Sequence, residues 1–163
     1  MRTPSSSSCI DFDAVIALPF GPFGIRCAGD AIEELVFLRP GTPLRAPAND
    51  TTRLAADALR AWIDDARHPF PLPLVARGTP FQHRVWDEIS AIPAGQTRSY
   101  GDLSRRLGSA ARAVGQACGA NPYPLVVPCH RVTSARGLGG FANASDGWLL
   151  DVKRWLLNHE GAV

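Results

Sequence analysis

Between residues 79 and 122 the chain is punctuated so closely that only short helices fit. Thr79 can cap a helix, Pro80 suits its first turn, and Gln82 stands where a capping box needs a side chain reaching back to Thr79. Phe81, Val85, Trp86 and Ile89 follow near helical spacing, and the element stops before Pro93. After a loop at Gly95, Ser99 caps a second helix, with Asp102 three residues on, and Gly108 ends it. Ser109 is expected to cap a third helix that runs to about Gly119 and stops ahead of Asn121-Pro122. Two short helices joined through a glycine have the shape of a helix-turn-helix. Two ordinary packed helices would read the same way.

The first half reads differently. Short strands are expected at Ala14–Leu18, Gly24–Ala28 and Ile32–Leu38, with a turn from Pro19 to Gly24. A Pro-rich loop over 40–49 leads to a helix over 51–66 with Leu54, Ala58, Trp62 and Ile63 near helical spacing. His68 to Leu74 reads as a linker or edge strand, which puts a boundary near residue 77 between subdomains 1–76 and 77–163. Residues 1–10 form a Ser-rich tail expected to be disordered. Residues 122–136 read as extended or irregular, and 137–147 as a Gly-rich loop. A last helix over about 147–159 carries Trp148, Leu149, Val152, Trp155 and Leu156 on one face. The class is mixed α/β (α+β), with a strand-rich first part and a helical second.

Composition narrows the function. At 163 residues, 45% apolar and 20% charged, the chain can bury a core without disulfide or metal staples. No apolar run approaches the ~18–20 residues of a membrane span. Cys9, Cys27, Cys118 and Cys129 form no C-x-x-C pair, so no metal site is expected. The N-terminus lacks the apolar core of a secretory signal, and a reducing cytoplasm is the expected compartment. The net charge of +2 hides an asymmetry. Residues 1–76 carry seven Arg against nine carboxylates, whereas 77–136 carry eight Arg against three. A cationic central third suits a phosphate-facing surface, although a solvated arginine-rich face would look alike.

The sharpest local feature is Val126-Val127-Pro128-Cys129-His130-Arg131-Val132. Pro128 restricts Val127 and fixes its own φ, which aims Cys129. A thiol is nucleophilic as thiolate, and His130 and Arg131 follow at once as a base and a cation. On an extended segment neighbouring side chains diverge, so Cys129 and His130 would need a water or a special turn between them. A buried structural cysteine is the alternative. The third helix, from Ser109 to Ala117, is rich in small residues and offers only Arg112 and Gln116 as long polar side chains. It suits close, sequence-independent contact with one inserting arginine rather than base readout.

Taken together these residues resemble the O6-alkylguanine-DNA alkyltransferase family. The resemblance rests on Gly78-Thr79-Pro80-Phe81-Gln82, Val85-Trp86, Ile92-Pro93, Gly95-Gln96-Thr97, Ser99-Tyr100, Arg112-Ala113-Val114-Gly115, Asn121-Pro122, Pro128 to Val132 and the tail from Lys153 to Glu160. It is specific over 78–160 and weak over 1–76. It implies a small ribonuclease-H-like N-terminal subdomain and a helical subdomain that binds double-stranded DNA containing O6-alkylguanine through the minor groove as a monomer. It implies single-turnover transfer of the alkyl group from O6-alkylguanine, and from O4-alkylthymine, to Cys129 after base flipping. No cofactor is implied, because the protein is itself the acceptor. His130 would act through a water, Glu160 would orient His130, Asn121 would brace the turn, and Tyr100 would donate to guanine N3. Arg112 would fill the vacated stack. Ala111, Ala113 and Gly115 would admit the helix to the groove, and Arg131 would add a DNA contact. Val132, Phe141, Ala142 and Lys153 would line the pocket.

Departures accompany the resemblance. The turn Leu107-Gly108-Ser109 is about two residues short of the family's and lacks its proline, Phe141 stands where a tyrosine is usual, and the loop from Asn143 to Trp148 is longer. Three other readings compete: an alkyltransferase-like protein that binds alkylated DNA without repairing it, a helix-turn-helix regulator, and a Cys-His hydrolase. Cys129 with His130 and Glu160 disfavours the first. The lack of a dimer helix disfavours the second, and the lack of an oxyanion loop the third.

Overall fold

The structure is a computed structural model and describes residues 12–70, 72–141 and 147–162. The expected N-terminal tail, Cys9 and Ala142 lie outside the described residues. The chain divides between Ala76 and Arg77 into two compact units.

The first unit is a three-stranded antiparallel meander, β1 (Ala14–Leu18), β2 (Gly21–Ala28) and β3 (Ala31–Phe37), with one helix, α1 (Asp50–Asp64). The Pro/Gly segment expected as a turn is mostly strand: Leu18 pairs with Gly21, so only Pro19 and Phe20 turn. Phe23, Ile25, Ile32 and Leu35 are fully buried. Asn49 caps α1, accepting from the Thr52 N–H at 2.9 Å. The buried face of α1 is the expected one at Ala58 and Trp62 but not at Leu54. Leu54 is 49% exposed, while Ala55, Ala56, Leu59 and Trp62 are buried. Small alanines let a helix lie close to its neighbours, and that shape preference outweighs the single large side chain.

The second unit holds α2 (Pro80–Ser90), β4 (Arg98–Ser99), α3 (Tyr100–Leu107), α4 (Ala111–Gly119), β5 (Val132–Thr133) and α5 (Trp148–His159). β4 and β5 pair in parallel. The α2 capping box forms as expected, Gln82 N–H donating to Thr79 Oγ1 at 3.1 Å and Thr79 N–H to Gln82 Oε1 at 2.9 Å. Gly78 precedes it at φ +105°, and a Cβ there would lie 2.6 Å from the Trp86 ring, so only glycine fits. Trp86 Nε1 donates to Ala117 O at 2.9 Å and ties α2 to α4. Val85, Ile89, Leu103, Val114 and Val132 are fully buried in the shared core.

Ser99 caps α3, and Gly108 ends it in the left-handed region at φ 62°. α4 starts later than expected. Its N-cap is Ala110, whose methyl offers no cap acceptor, and the Ser109 N–H donates to Ser104 O and closes α3. α5 buries Leu149, Val152 and Leu156 as expected, with Leu150, Lys153 and Leu157 beside them, while Trp148 and Trp155 are only half-buried.

Candidate active site

The turn that carries Cys129 is built by proline geometry. Pro128 takes φ −81° and ψ 65°, the inverse γ-turn region, and the Cys129 N–H donates to Val127 O at 2.8 Å across it. The Arg131 N–H donates to Pro128 O at 2.9 Å, which closes a 3-10 turn over Cys129–Arg131. Of the extended and irregular alternatives, the irregular one holds here, and the special turn is this 3-10 turn. In a 3-10 turn successive side chains diverge by roughly a third of a circle, not by the half circle of a strand. Cys129 and His130 both leave the turn into buried surroundings.

Asn121, fully buried beyond the end of α4, braces this turn. Its Nδ2 donates to Val127 O at 2.8 Å and to Cys129 Sγ at 3.2 Å, and its Oδ1 accepts from the Tyr123 N–H at 2.9 Å. Cys129 is 5% exposed. Its thiol is raised well above the usual range, first by a hydrogen bond with the Cys118 thiol and then by burial, with the Asn121 amide working against both. The resting sulfur is thus a neutral thiol. Cys118 escaped the sequence reading; its only signal there is its place one turn after Val114 on the inner face of α4.

A buried histidine follows Cys129 in the chain. His130 Nε2 lies 2.9 Å from Glu160 Oε1, and both side chains are buried. Burial alone would raise Glu160, but hydrogen bonds from His130 and Arg131 outweigh it and hold the carboxyl at about 2. Burial lowers His130 against the pull of Glu160, so the ring is neutral near pH 7. An ionised carboxylate only accepts, so Nε2 carries the proton and Nδ1 is the basic nitrogen.

Arg131 was expected beside the thiol and on DNA. Its guanidinium lies elsewhere. Nε reaches Glu160 Oε1 at 3.0 Å and Oε2 at 3.1 Å, Nη2 reaches Oε2 at 2.5 Å, and Nη1 donates to Ile92 O at 2.7 Å. The side chain is held on Glu160 and Ile92 O.

The remaining expected residues are placed as follows. Lys153, fully buried, donates to Val132 O at 2.7 Å and Gly140 O at 2.9 Å. Burial lowers its amine to about 8, although both cysteines pull it up. Lys153 Nζ is 5.9 Å from the Phe141 ring centre. Tyr100, the first residue of α3, donates to Gly140 O at 3.3 Å, and burial raises its phenol further. On α4, Ala111 and Arg112 are exposed and Ala113 and Gly115 half-buried, while Val114 and Ala117 point into the core. A separate cleft of about 520 Å³, lined by Thr97, Thr133, Leu138 and Leu157 among others, includes none of the expected site residues.

Residues 80–162 match the model of the 6-O-methylguanine DNA methyltransferase DNA-binding domain. The methylated-DNA–protein-cysteine methyltransferase of Methanosarcina acetivorans is 33% identical over 91% of this chain and 97% of its own length. That of Salmonella typhimurium is 53% identical over 52% of this chain and 48% of its own length. The crystal structure of Mycobacterium tuberculosis O6-methylguanine methyltransferase superposes with a TM-score of 0.70 at 35% identity and covers 91% of each chain. The crystal structure of Mycobacterium tuberculosis OGT in complex with DNA gives a TM-score of 0.70 at 34% identity, again covering 91% of each chain. A mixed α/β fold shared over nine-tenths of the chain, and a family match that spans the whole cysteine site, lead to one conclusion: this chain belongs to the 6-O-methylguanine DNA methyltransferase family.

Proposed function

We propose that this protein repairs DNA by moving a methyl or other alkyl group from O6-alkylguanine, and from O4-alkylthymine, onto Cys129, once per molecule. The observation that carries the reading is the 2.9 Å contact between His130 Nε2 and the buried Glu160 carboxylate, on the residue next to a thiol that Asn121 holds in place. The arrangement follows the nucleophile, base and orienter logic of covalent catalysis.

The relay runs from Cys129 through a water to His130 and Glu160. The thiol proton passes to His130 Nδ1. The sulfur lone pair attacks the alkyl carbon in line, an S–C bond forms, and the C–O6 bond breaks with its electron pair passing into the guanine ring. Tyr100 offsets that charge by turning its hydroxyl from Gly140 O to guanine N3. Phe141 brings no hydroxyl to the leaving oxygen, so Tyr100 bears more of that task here. Val132 O, already taking Lys153, keeps a second lone pair for the guanine edge.

The target base must leave the duplex to reach a sulfur this buried. α3 and α4 act as a helix-turn-helix that enters the minor groove. The open face of α4 at Ala111, Ala113 and Gly115 admits the backbone, and exposed Arg112 fills the gap left by the base. The first unit is a ribonuclease-H-like scaffold, and the protein works as a cytoplasmic monomer.

Incubation with O6-benzylguanine and mass analysis of the Cys129 peptide tests this. One benzyl group per protein, absent in Cys129→Ala, is expected. An unmodified Cys129, or repeated turnover, would sink the proposal.

A further inference from the structure

We infer that Arg131 is a positioning residue of the acceptor site, gripping both oxygens of Glu160 and so fixing the carboxylate on which His130 depends. The inference deepens the proposed function and rests on it for the identity of the reaction, not for the geometry.

Four contacts define the grip. Arg131 Nε spans Glu160 Oε1 and Oε2 at 3.0 and 3.1 Å, Nη2 reaches Oε2 at 2.5 Å, and Nη1 is anchored on Ile92 O at 2.7 Å. A guanidinium is planar and always charged, and its fork fixes a carboxylate in rotation as well as in position. Oε2 is thereby committed to Arg131, and Oε1 is turned toward His130 Nε2 at 2.9 Å. A single side chain thus links the catalytic turn, the end of α2 and the end of α5. Arg131 therefore acts on the sulfur only through Glu160 and His130.

The grip also sets protonation. Without a cation, a buried carboxylate beside an imidazole draws a proton onto the pair, because an unpaired buried charge is costly. Whichever partner holds that extra proton, the neutral ring with a basic Nδ1 becomes scarcer at neutral pH. The charged groups that reach His130 are Glu160 and Lys153 from α5 and Arg131 from its own turn. α2, also packed on the turn, buries only apolar Val85, Trp86 and Ile89 there. Lys153 is committed to two carbonyls and does not touch Glu160 in any contact described, so it cannot substitute for the fork.

The test uses the full chain, O6-benzylguanine and the variants Arg131→Gln and Arg131→Lys. Labelling rates are measured against pH, and the His130 ring is followed by NMR titration in the same proteins. Wild type should stay active well into the acid. Arg131→Gln should move the acid limb and the His130 titration upward by roughly one pH unit, which is about a tenfold loss at a fixed pH on that limb. An ammonium cannot fork both oxygens, so Arg131→Lys should show a smaller shift in the same direction. If Arg131→Gln does not fold, Arg131→Lys carries the test. A rate that falls uniformly while both midpoints stay at the wild-type pH would overturn the inference and leave Arg131 a structural residue. If wild type takes no label at Cys129, the repair reading fails, and the His130 titration still decides what Arg131 does.

Discussion

Replacing Asn121 with leucine removes an amide of similar size from a fully buried position. The amide makes three bonds there, to Val127 O, Cys129 Sγ and the Tyr123 N–H. The leucine leaves the Tyr123 N–H and Val127 O without that partner. Val127 O keeps the Cys129 N–H, so the cost falls on the Tyr123 N–H, and a buried donor that loses its partner costs about 1–3 kcal/mol. That is a large part of the ~5–15 kcal/mol that holds a typical domain. Asn121→Asp keeps the acceptor for Tyr123 but aims a carboxylate at Val127 O and at the sulfur. It should raise the thiol further and slow labelling more than leucine does for the same stability loss. Urea denaturation gives the stabilities, and O6-benzylguanine labelling at a denaturant-free common temperature gives the rates. A leucine variant within about 0.5 kcal/mol of wild type would refute the brace. Equal labelling rates in the two variants would refute the electrostatic part.

Three further outcomes follow from the geometry. Arg112→Ala should slow repair of duplex DNA at least tenfold, by order of magnitude, while free O6-benzylguanine reacts nearly as before; equal losses on both substrates would remove its wedge role. Tyr100→Phe gives up only a 3.3 Å bond to Gly140 O, so stability should change by less than ~1 kcal/mol while transfer slows clearly; an unchanged rate would take Tyr100 out of the chemistry. His130 and Glu160 both titrate below their ordinary values in the fold, so the unfolded chain binds more protons as pH falls. Stability should therefore drop below about pH 6.5 through His130 and again below about pH 4.5 through Glu160, that second part being lost completely near pH 2, and Glu160→Gln should flatten the lower step in urea midpoints measured against pH.

The elements that local chemistry dictates were legible from residues alone. The Thr79 box, the Ser99 cap, the Gly108 stop and the strand of Ala14–Leu18 all stand where side-chain propensities put them. What escaped depends on partners distant in sequence. The Cys129 turn is 3-10 because Pro128 takes ψ 65° while Asn121 holds Val127 from behind, and neither is visible in an alternation pattern. Lys153 is buried at a helical position that periodicity would assign to a polar edge, because two carbonyls wait there for its amine. Arg131 looked like a surface cation next to a reactive cysteine until the end of α5 supplied Glu160. On α1, Ala58 and Trp62 are buried where the spacing put them, and Leu54 is exposed because alanines pack closer than it could.

The central claim is that the neutral, buried sulfur of Cys129 becomes an alkyl acceptor when a flipped base meets it. The direct measurement is the mass of the Cys129 peptide after the protein meets a duplex carrying a single O6-methylguanine. The account predicts the added mass of one methyl group on Cys129, a stoichiometric yield that no excess of substrate exceeds, and guanine restored in the strand. A methyl group on another residue, or none on Cys129 while the duplex is bound, would contradict it.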